Sequence, residues 1–262
     1  MLIDDTLFGR IDKVKIAIER LKTFEPPEGY YLAFSGGKDS QCIYHLAEMA
    51  GVKFDAHFNL TGLDPPELIR FTRKNYPMVK RHHPSISIGK LIVKKMMPPT
   101  RQVRYCCEFL KETGGIGRRV LTGVRWEESV KRSTRKMVEH CLKGKTKTYL
   151  HPILDWTTEE VWEFIRSNNL SYCSLYDEGF KRIGCIGCPN AGKKRERDFI
   201  RWPKYKARYI RAFQRSSKER DRRIQNGETH LSTNNWTDGE SMFEWWMSDT
   251  TPVNPDQTVL FE

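Results

Sequence analysis

The stretch Tyr30-Tyr31-Leu32-Ala33-Phe34-Ser35-Gly36-Gly37-Lys38-Asp39-Ser40 decides the fold of this chain. Its first five residues form a short apolar run, which is typical of a buried strand. Residues 40–49 then have the spacing of a helix. The two glycines between them can adopt positive φ and expose backbone N–H groups, and the start of the helix points its positive end at the same place. The loop 35–40 is therefore predicted to bind phosphate.

The side chains of this loop add further groups that suit a phosphate. Ser35 and Ser40 supply hydroxyl donors, Lys38 supplies charge, and Asp39 could hold a metal ion on the phosphates or orient the loop. The loop is not a Walker A motif, because no glycine stands five residues before the Gly-Lys pair and Asp39 replaces the Ser or Thr. The alternative is an ordinary Gly-Gly turn, which the complete hexapeptide in its strand–loop–helix context disfavours.

Strand-like and helix-like segments alternate along the chain around this loop. Strands are predicted near 54–58, 79–83 and 119–124, and helices over about 3–23, 65–75, 88–97 and 157–168. Asp155 or Thr157 can cap the last of these helices. The alternation predicts an α/β fold with a mainly parallel twisted sheet, helices on both faces, and a ligand site at the carboxyl ends of the strands.

The formal charge of +12 is concentrated in one part of the chain. Residues 192–223 contain 14 Lys/Arg against 4 Asp/Glu, which accounts for +10 of the total. This concentration suits a phosphate-rich partner such as nucleic acid, with a solvated helix face as the alternative. The composition therefore divides the chain into a nucleotide-binding domain over 1–190 and a basic, Trp-rich helical module over 191–262.

Within the basic module, a helix is predicted from Pro203 to about Arg223. One face of this helix is apolar and suits core packing, and the opposite, basic face is the candidate for contact with a nucleic-acid backbone. The apolar stripe consists of Tyr205, Tyr209, Ala212 and Phe213. The tryptophans at 236, 245 and 246 are expected to pack the rest of the module onto the body of the protein.

Length and composition exclude several classes of protein. No run approaches the roughly 20 apolar residues of a membrane span, and the first ten residues lack the apolar segment of a secretory signal. Seven cysteines, an odd number, argue against a complete disulfide framework. We therefore expect a cytoplasmic protein in which clustered cysteines serve as metal ligands or reactive thiols.

Four motifs, in order along the chain, resemble those of one family. Residues 35–40 resemble the pyrophosphate loop (PP-loop) of the ATP pyrophosphatase, or adenine nucleotide α-hydrolase-like, superfamily. Three further motifs are similar to those of the phosphoadenosine-phosphosulfate (PAPS) reductase family, and the resemblance covers about residues 28–190. These motifs are Thr61-Gly62-Leu63-Asp64-Pro65-Pro66-Glu67, then Gly123-Val124-Arg125-Trp126-Glu127-Glu128-Ser129 with Arg132, and then a core of Pro152 to Trp156, Leu175 to Phe180 and Arg182 to Cys185.

The resemblance implies an adenine nucleotide as the ligand, either ATP or one of the phosphosulfates, PAPS and adenosine phosphosulfate (APS), with Mg²⁺ as a possible companion. It implies catalytic roles for Lys38, Asp39 and Arg125, and it places Thr61 and Gly62 near the adenosine or the reactive phosphorus. The nucleotide-binding residues that it implies are Ser35, Gly36, Gly37, Lys38, Asp39, Ser40, Thr61, Gly62, Gly123, Arg125 and Arg132. Arginines suit this role because their forked donors match phosphate, with an ion pair to Glu127 or Glu128 as the alternative for Arg125.

Two pairs of cysteines, Cys106-Cys107 and Cys185-Ile186-Gly187-Cys188, could supply four soft ligands to zinc or to an iron–sulfur cluster. The spacing resembles the Cys-Cys and Cys-x-x-Cys pattern of the [4Fe–4S] branch of sulfonucleotide reductases, which implies a cluster. A redox disulfide and buried structural cysteines are the alternatives. Cys42 is expected in the core, and Cys173 is either buried or a reactive thiol.

One departure from the family bears on the reaction. A sulfonucleotide reductase uses a nucleophilic cysteine near its C-terminus, whereas no cysteine follows Cys188 in this sequence. The first hypothesis is therefore an adenylyl or sulfur transferase that cleaves the α–β phosphate bond of ATP, in nucleic-acid sulfur modification with a sulfur-donor protein. The second is a reductase of PAPS or APS that uses an external thiol donor. The third is a nucleotide-sensing protein that binds nucleic acid without catalysis.

Overall fold

Two compact units divide the chain in the computed structural model, which describes residues 2–6, 9–141, 146–192, 194–228 and 236–248. The first unit consists of Met1–Leu60, Asp64–His83 and Lys111–Gly184. The second consists of Thr61–Leu63, Pro84–Leu110 and Cys185–Glu262. The units therefore interleave along the sequence. Of the predicted basic module, residues 193, 229–235 and 249–262 lie outside the described residues.

The N-terminal segment differs from the predicted helix over 3–23. Strands β1 (Ile3–Thr6) and β2 (Gly9–Asp12) pair antiparallel, and α1 begins only at Lys13 and ends at Thr23. The reason is a cap, because the Asp12 carboxylate accepts a hydrogen bond from the backbone N–H of Lys15 at 3.0 Å. A capping residue has extended backbone, so the helix cannot continue before it. The predicted helix therefore began ten residues too early, which is nearly three turns.

A six-stranded sheet forms the centre of the first unit. Its order is β5-β4-β3-β6-β8-β7, and every neighbouring pair is parallel except β7 with β8. This arrangement confirms the predicted α/β fold with a mainly parallel sheet. The strands are β3 (Tyr30–Ala33), β4 (Phe54–Asn59), β5 (Lys80–His82), β6 (Arg119–Leu121), β7 (Val138–His140) and β8 (Thr148–Leu150).

Helices of the first unit follow their strands as βαβ connections require. They are α2 (Lys38–Ala50), α3 (Pro66–Asn75), α6 (Val130–Ser133) and α7 (Thr158–Ser167). The predicted cap of α7 is confirmed at Thr157, whose hydroxyl accepts from the backbone N–H of Glu160 at 3.2 Å while the Glu160 carboxylate accepts from that of Thr157 at 2.8 Å. Leu32, Ile43, Leu46 and Phe164 are fully buried and form part of the core.

Helices make up most of the second unit. They are α4 (Ile88–Lys95), α5 (Tyr105–Leu110), α8 (Lys194–Arg201), α9 (Pro203–Gln225) and α10 (Gly239–Met247). Helix α9 packs against α4 and α10, and it buries the predicted residues Tyr209, Ala212 and Phe213, while Tyr205 is half-buried. Trp246 is also buried, and its indole N–H donates to the carbonyl of Pro99 at 2.7 Å. The described helices include none that is both long and apolar enough to cross a bilayer.

Candidate functional site

The phosphate loop lies at the switch point of the sheet, where the strand order reverses. Strand β3 pairs with β4 on one side and with β6 on the other, both parallel, so the segments that follow β3 and β6 leave the same edge of the sheet. Ligands of open α/β sheets bind at such a point. The segment after β3 is the loop 35–40, and the segment after β6 contains Gly123 and Arg125. The fold thus brings two predicted motifs together.

Gly123 permits this approach. A Cβ atom at that position would lie 2.9 Å from the Cβ of Asp39 and 3.0 Å from its backbone carbonyl carbon. Both separations are below van der Waals contact, so a side chain would push the segment after β6 away from the first turn of α2. The predicted nucleotide-binding residue Gly123 therefore serves the packing of the site.

The loop itself is held by internal hydrogen bonds. Gly36 has φ of +74°, and a Cβ atom there would lie 2.5 Å from the methyl group of Thr72. The hydroxyl of Ser40 donates to the carbonyl of Gly37 at 2.9 Å and accepts from the backbone N–H of Ser35 at 3.2 Å. No side chain caps Gly37, the residue that precedes α2. Hydrogen bonds within the loop and the packing of Gly36 therefore fix its shape.

Two buried cations meet the carboxylate of Asp39. Lys38 is 4% exposed and its Nζ lies 3.0 Å from Asp39 Oδ2, while Arg125 is 2% exposed and its Nε lies 2.8 Å from Asp39 Oδ1. Asp39 keeps part of its surface, with 22% of its side chain exposed. The three predicted catalytic residues therefore lie in one cluster, in which Asp39 occupies the position of an anion between Lys38 and Arg125.

The other donors of Arg125 are also engaged by protein groups. Nη1 donates to Glu127 Oε2 at 2.9 Å and to the carbonyl of Trp156 at 3.1 Å, and Nη2 donates to the hydroxyl of Thr158 at 3.2 Å. Burial alone would lower the pKa of Arg125, but the carboxylates of Asp39 and Glu127 outweigh it and raise the pKa. The ion pair with Glu127 is thus present, and Arg125 contacts the loop through Asp39.

Two residues of the site, Tyr176 and Thr158, were missed in the sequence. The hydroxyl of Tyr176 accepts a hydrogen bond from the backbone N–H of Lys38 at 2.9 Å, and burial raises the pKa of Tyr176, so its hydroxyl stays protonated. Thr158, at the start of α7, donates through its hydroxyl to Glu127 at 2.8 Å. Tyr176 falls in the motif 175–180, which was the available signal. The predicted ligand Arg132 forms an ion pair with Glu128.

The predicted residues Thr61 and Gly62 belong to the second unit. Thr61 is 1% exposed, and its hydroxyl lies 3.5 Å from the Sγ of Cys185. The carbonyl of Gly62 accepts from Arg208 Nη1 at 3.1 Å, and the carbonyl of Leu63 accepts from the backbone N–H of Ile186 at 2.8 Å. Within this unit, the segment 61–63 is therefore fastened to the Cys-x-x-Cys turn and to α9.

Four cysteine thiols converge in the second unit. Cys106 and Cys107 lie on α5, while Cys185 and Cys188 flank a turn closed by a backbone hydrogen bond of 3.2 Å. A hydrogen bond with Cys107 raises the pKa of Cys106 most, burial raises it further, and so does the charge of each of the other three cysteines. None of the four is part of a disulfide, and all four are of intermediate exposure. The two cysteine pairs therefore lie within electrostatic range of each other.

The chemistry of this donor set suits a soft metal or a cluster, since four thiolates are the ligands of Cys₄ sites. The described residues nevertheless contain no group of three or more His, Cys, Asp or Glu side chains arranged to hold one metal ion. The four thiols are suitable ligands for a soft metal or a cluster, but they are not positioned as a closed shell around one ion. Cys42 and Cys173 are fully buried, and burial raises the pKa of each thiol, which disfavours Cys173 as a reactive thiolate.

Comparison with known proteins places these features in context. The model of the phosphoadenosine phosphosulfate reductase domain family matches residues 29–191. An uncharacterised protein of Methanocaldococcus jannaschii is 32% identical over 205 residues, which cover 72% of this chain and 41% of that protein. An adenosine 5'-phosphosulfate reductase of Oceanobacillus iheyensis is 30% identical over 150 residues, covering 54% of this chain and 60% of that enzyme.

A probable FAD synthase of Schizosaccharomyces pombe is 29% identical over 204 residues, covering 72% of this chain and 73% of that protein. Among solved structures, a PAPS reductase of Candida auris superposes with a TM-score of 0.49 at 20% identity, covering 64% of this chain and 87% of that chain. The chain spans about two-fifths to three-fifths of the length of the first curated relatives it matches.

Proposed function

This chain belongs to the phosphoadenosine phosphosulfate reductase domain family, and from that membership we propose that it is an enzyme of nucleic-acid sulfur modification. It binds ATP or a related adenine nucleotide, cleaves the bond between the α and β phosphates and adenylates an acceptor. Relatives of the chain include proteins named as APS reductases and as a probable FAD synthase, so enzymes with sulfur chemistry and with adenylyl chemistry both occur among them.

The observation that carries this proposal is the preformed loop 35–40 at the switch point of the sheet, with two buried cations beside it. In the proposed step, an acceptor oxygen attacks the α-phosphorus and forms the acceptor–AMP bond. The bond from the α-phosphorus to the bridging oxygen breaks, and pyrophosphate leaves with its electron pair. Lys38 would offset the charge that develops on pyrophosphate, and preorganised charge of this kind lowers the barrier.

Asp39 and Arg125 have linked roles in this proposal. The Asp39 carboxylate pairs with both cations, and incoming phosphate would replace it on Lys38. Arg125 is then a positioning residue that holds Asp39 from the other side. Mg²⁺ is commonly bound by one or two carboxylates together with phosphates and water. Asp39 is therefore the residue that would hold Mg²⁺, and the ion would offset the charge of the phosphates.

The four converging thiols would hold a [4Fe–4S] cluster. Support comes from the donor set and from the mutual effect of the cysteines on the pKa of Cys106. The cluster is tested directly by composition, because the anaerobically purified protein should contain about four irons and four acid-labile sulfides per chain. Zinc without sulfide would assign a zinc site. Absence of both iron and zinc would overturn the cluster and leave the four cysteines as thiols. Cys185→Ser should remove the iron without unfolding the first unit.

The test of the reaction measures pyrophosphate release from ATP by the anaerobic holoenzyme, with and without bulk tRNA or duplex DNA. Release stimulated by nucleic acid is expected, and Lys38→Ala should abolish it and weaken nucleotide binding. Wild-type nucleotide affinity in Lys38→Ala would remove the assignment of the loop. Absence of release from ATP under every condition would overturn the transferase proposal and favour a sensor.

The second candidate is a reductase of PAPS or APS, which the named APS reductases among the relatives favour. An external dithiol would supply two electrons to the sulfate sulfur and become a disulfide. The bond between that sulfur and the oxygen of the 5'-phosphate breaks, and sulfite and the adenosine phosphate are released. Cys173 is buried. In the described part of the chain, the accessible thiols are therefore those of the four converging cysteines and of Cys141. Thiol-dependent sulfite release from either phosphosulfate would establish this candidate in place of the first.

A further inference from the structure

The basic helix α9 is not uniform in charge. From residue 204 to residue 218 it carries six Lys or Arg and no Asp or Glu. Beyond this stretch the charges are compensated, because Arg222 pairs with Glu219 at 3.0 Å and with Glu228 at 2.9 Å, and Arg223 pairs with Glu219 at 2.7 Å. The uncompensated charge of α9 is therefore confined to its N-terminal two-thirds.

Three arginines of this stretch line a cavity of about 200 Å³ inside the second unit. They are Arg208, Arg211 and Arg215, which share one face because they are spaced i, i+3 and i+7. The opposite wall is the first turn of α4, with Ser87 and Gly89. A volume of this size holds several water molecules, so it admits a tetrahedral anion.

Arg211 and Arg215 are available to such an anion. Both are exposed, and within the described residues neither forms an ion pair with a carboxylate. The Nε of Arg215 donates to the carbonyl of Arg211 at 3.2 Å, which holds its guanidinium against the helix, and the Nη2 of Arg215 lies 3.6 Å from the position of a Cβ at Gly89. Arg208 is partly used, since it donates to the carbonyl of Gly62.

We propose that the cavity between α4 and α9 is a binding site for backbone phosphates of a nucleic acid, held by Arg211 and Arg215 with Arg208 beside them. This inference rests on the proposed function and names the surface by which the acceptor is bound. Arg208 and Arg215 are seven residues apart, or about 10 Å along the helix, which matches about three steps between successive phosphates of one strand at about 3.4 Å of axial rise each.

A membrane surface is disfavoured as the partner by the opposite face of α9. Interfacial helices bury an apolar face among lipids, but here Tyr209, Ala212 and Phe213 are already buried against α4 and α10. From residue 204 to residue 218, the exposed side chains of α9 are then all cations except Ala207. Such a face attracts a polyanion by charge, and guanidinium groups suit phosphate because their donors match its oxygens in pairs.

The test compares two double variants of the full-length, anaerobically purified holoprotein. R211Q/R215Q removes the uncompensated pair, and R222Q/R223Q removes the same charge from the ion-paired end of the same helix. Binding of a fluorescein-labelled 20-bp DNA duplex and of labelled tRNA is measured by anisotropy between 50 and 200 mM salt. Thermal unfolding of both variants controls for folding.

We expect R211Q/R215Q to bind at least tenfold more weakly at the lowest salt, and its slope of log K against log salt to be less negative by about 1.8, since each phosphate contact contributes about 0.9. R222Q/R223Q should stay within about twofold of the wild type. Equal weakening in the two variants would overturn the inference, because the effect would then be net charge alone. Strong binding by R211Q/R215Q would also overturn it.

Further measurements distinguish a nucleic acid from other anions, and distinguish failure of this inference from failure of the proposed function. Inorganic phosphate at constant ionic strength should not displace the duplex more than chloride does, and displacement would assign a small-anion site instead. Polyglutamate of equal charge should bind more weakly, and equal arginine-dependent binding would assign an acidic protein partner. If the wild type binds no nucleic acid at all, the nucleic-acid part of the proposed function fails together with this inference. ATP cleavage would still test the loop independently.

Discussion

The role of Asp39 as the internal counter-ion of the phosphate loop leads to a prediction for Asp39→Asn. This carboxylate accepts from Lys38 at 3.0 Å and from Arg125 at 2.8 Å, and both cations are buried. The substitution keeps the shape of the side chain and removes its charge. Two buried cations are then left beside each other without the anion that separates them.

The magnitude follows from the partners that remain. Removal of one partner from a buried ion pair costs about 3 to 5 kcal/mol, but Asp39 is 22% exposed and Arg125 keeps its contact with Glu127. We therefore expect the free energy of unfolding to fall by about 2 kcal/mol, toward the value of one charged hydrogen bond. For a chain of this size that corresponds to a fall in Tm of about 4 to 8 °C.

Pyrophosphate binding should change in the opposite direction. An anion that enters the loop of the wild type meets the charge of Asp39, and a like charge a few ångströms away costs about 1 kcal/mol in a well-solvated site. In EDTA, where no divalent ion is present, Asp39→Asn should bind pyrophosphate about fivefold more tightly. Isothermal titration calorimetry gives this affinity, and thermal unfolding with and without pyrophosphate gives the stability.

Asp155→Asn is the matched control. Asp155 pairs with Arg20 through both oxygens, at 2.6 and 3.1 Å, and is 27% exposed in the same unit. It should lose comparable stability and keep the pyrophosphate affinity of the wild type. Weaker binding of pyrophosphate by Asp39→Asn in EDTA, or an unchanged Tm, would refute the view that this carboxylate stands in for phosphate.

Three further substitutions test a close packing contact, an ion pair and a helix cap in the first unit. Gly123→Ala should lower the free energy of unfolding by about 1 to 3 kcal/mol in urea denaturation, because the added methyl overlaps Asp39, and wild-type stability would contradict the close packing. Asp55 has a pKa lowered to about 2, since hydrogen bonds from Arg118 and His57 outweigh the effect of burial. The stabilisation that Asp55 contributes is therefore present above the unfolded-state pKa near 3.9 and is lost as the pH falls toward 2. We expect the free energy of unfolding to fall by about 1 to 2 kcal/mol over this range, after a discount for partial exposure. Asp55→Asn should remove this dependence of stability on pH. Thr157→Ala should cost about 1 kcal/mol in the same urea assay through loss of the helix cap, and an unchanged midpoint would show that the cap contributes nothing.

Local features of the fold were predictable from the sequence. The apolar run at Tyr30, the glycines after it and the cap at Thr157 all act within a few residues of one another, so their spacing carries the information. The buried stripe of α9 was predicted for the same reason. The N-terminal hairpin was not, because the apolar spacing that begins at Ile11 continues smoothly past Asp12, where the capped helix begins.

The inner contacts of the loop could not be predicted in this way. Arg125 and Asp39 are 86 residues apart, and Lys38 and Tyr176 are 138 residues apart. Family resemblance identified Arg125 as a member of the site. The sequence does not distinguish an arginine that is open to phosphate from one that is enclosed by protein acceptors. Only the burial of the guanidinium and its four acceptors distinguish the two. The same holds for the cysteines, whose convergence depends on how α5 and the turn 185–188 pack within the second unit.

The interleaving of the two units has a consequence for synthesis. The chain passes between the units five times, and α4 leaves the ribosome more than 100 residues before α9, which covers it. At about 5 to 20 residues per second, this delay is on the order of 5 to 20 s. Throughout that interval Ile88, Leu91 and Ile92, all buried in the finished protein, have no α9 to pack against. The nascent chain must therefore keep this apolar helix from aggregating, by a chaperone or by temporary packing on residues already synthesised.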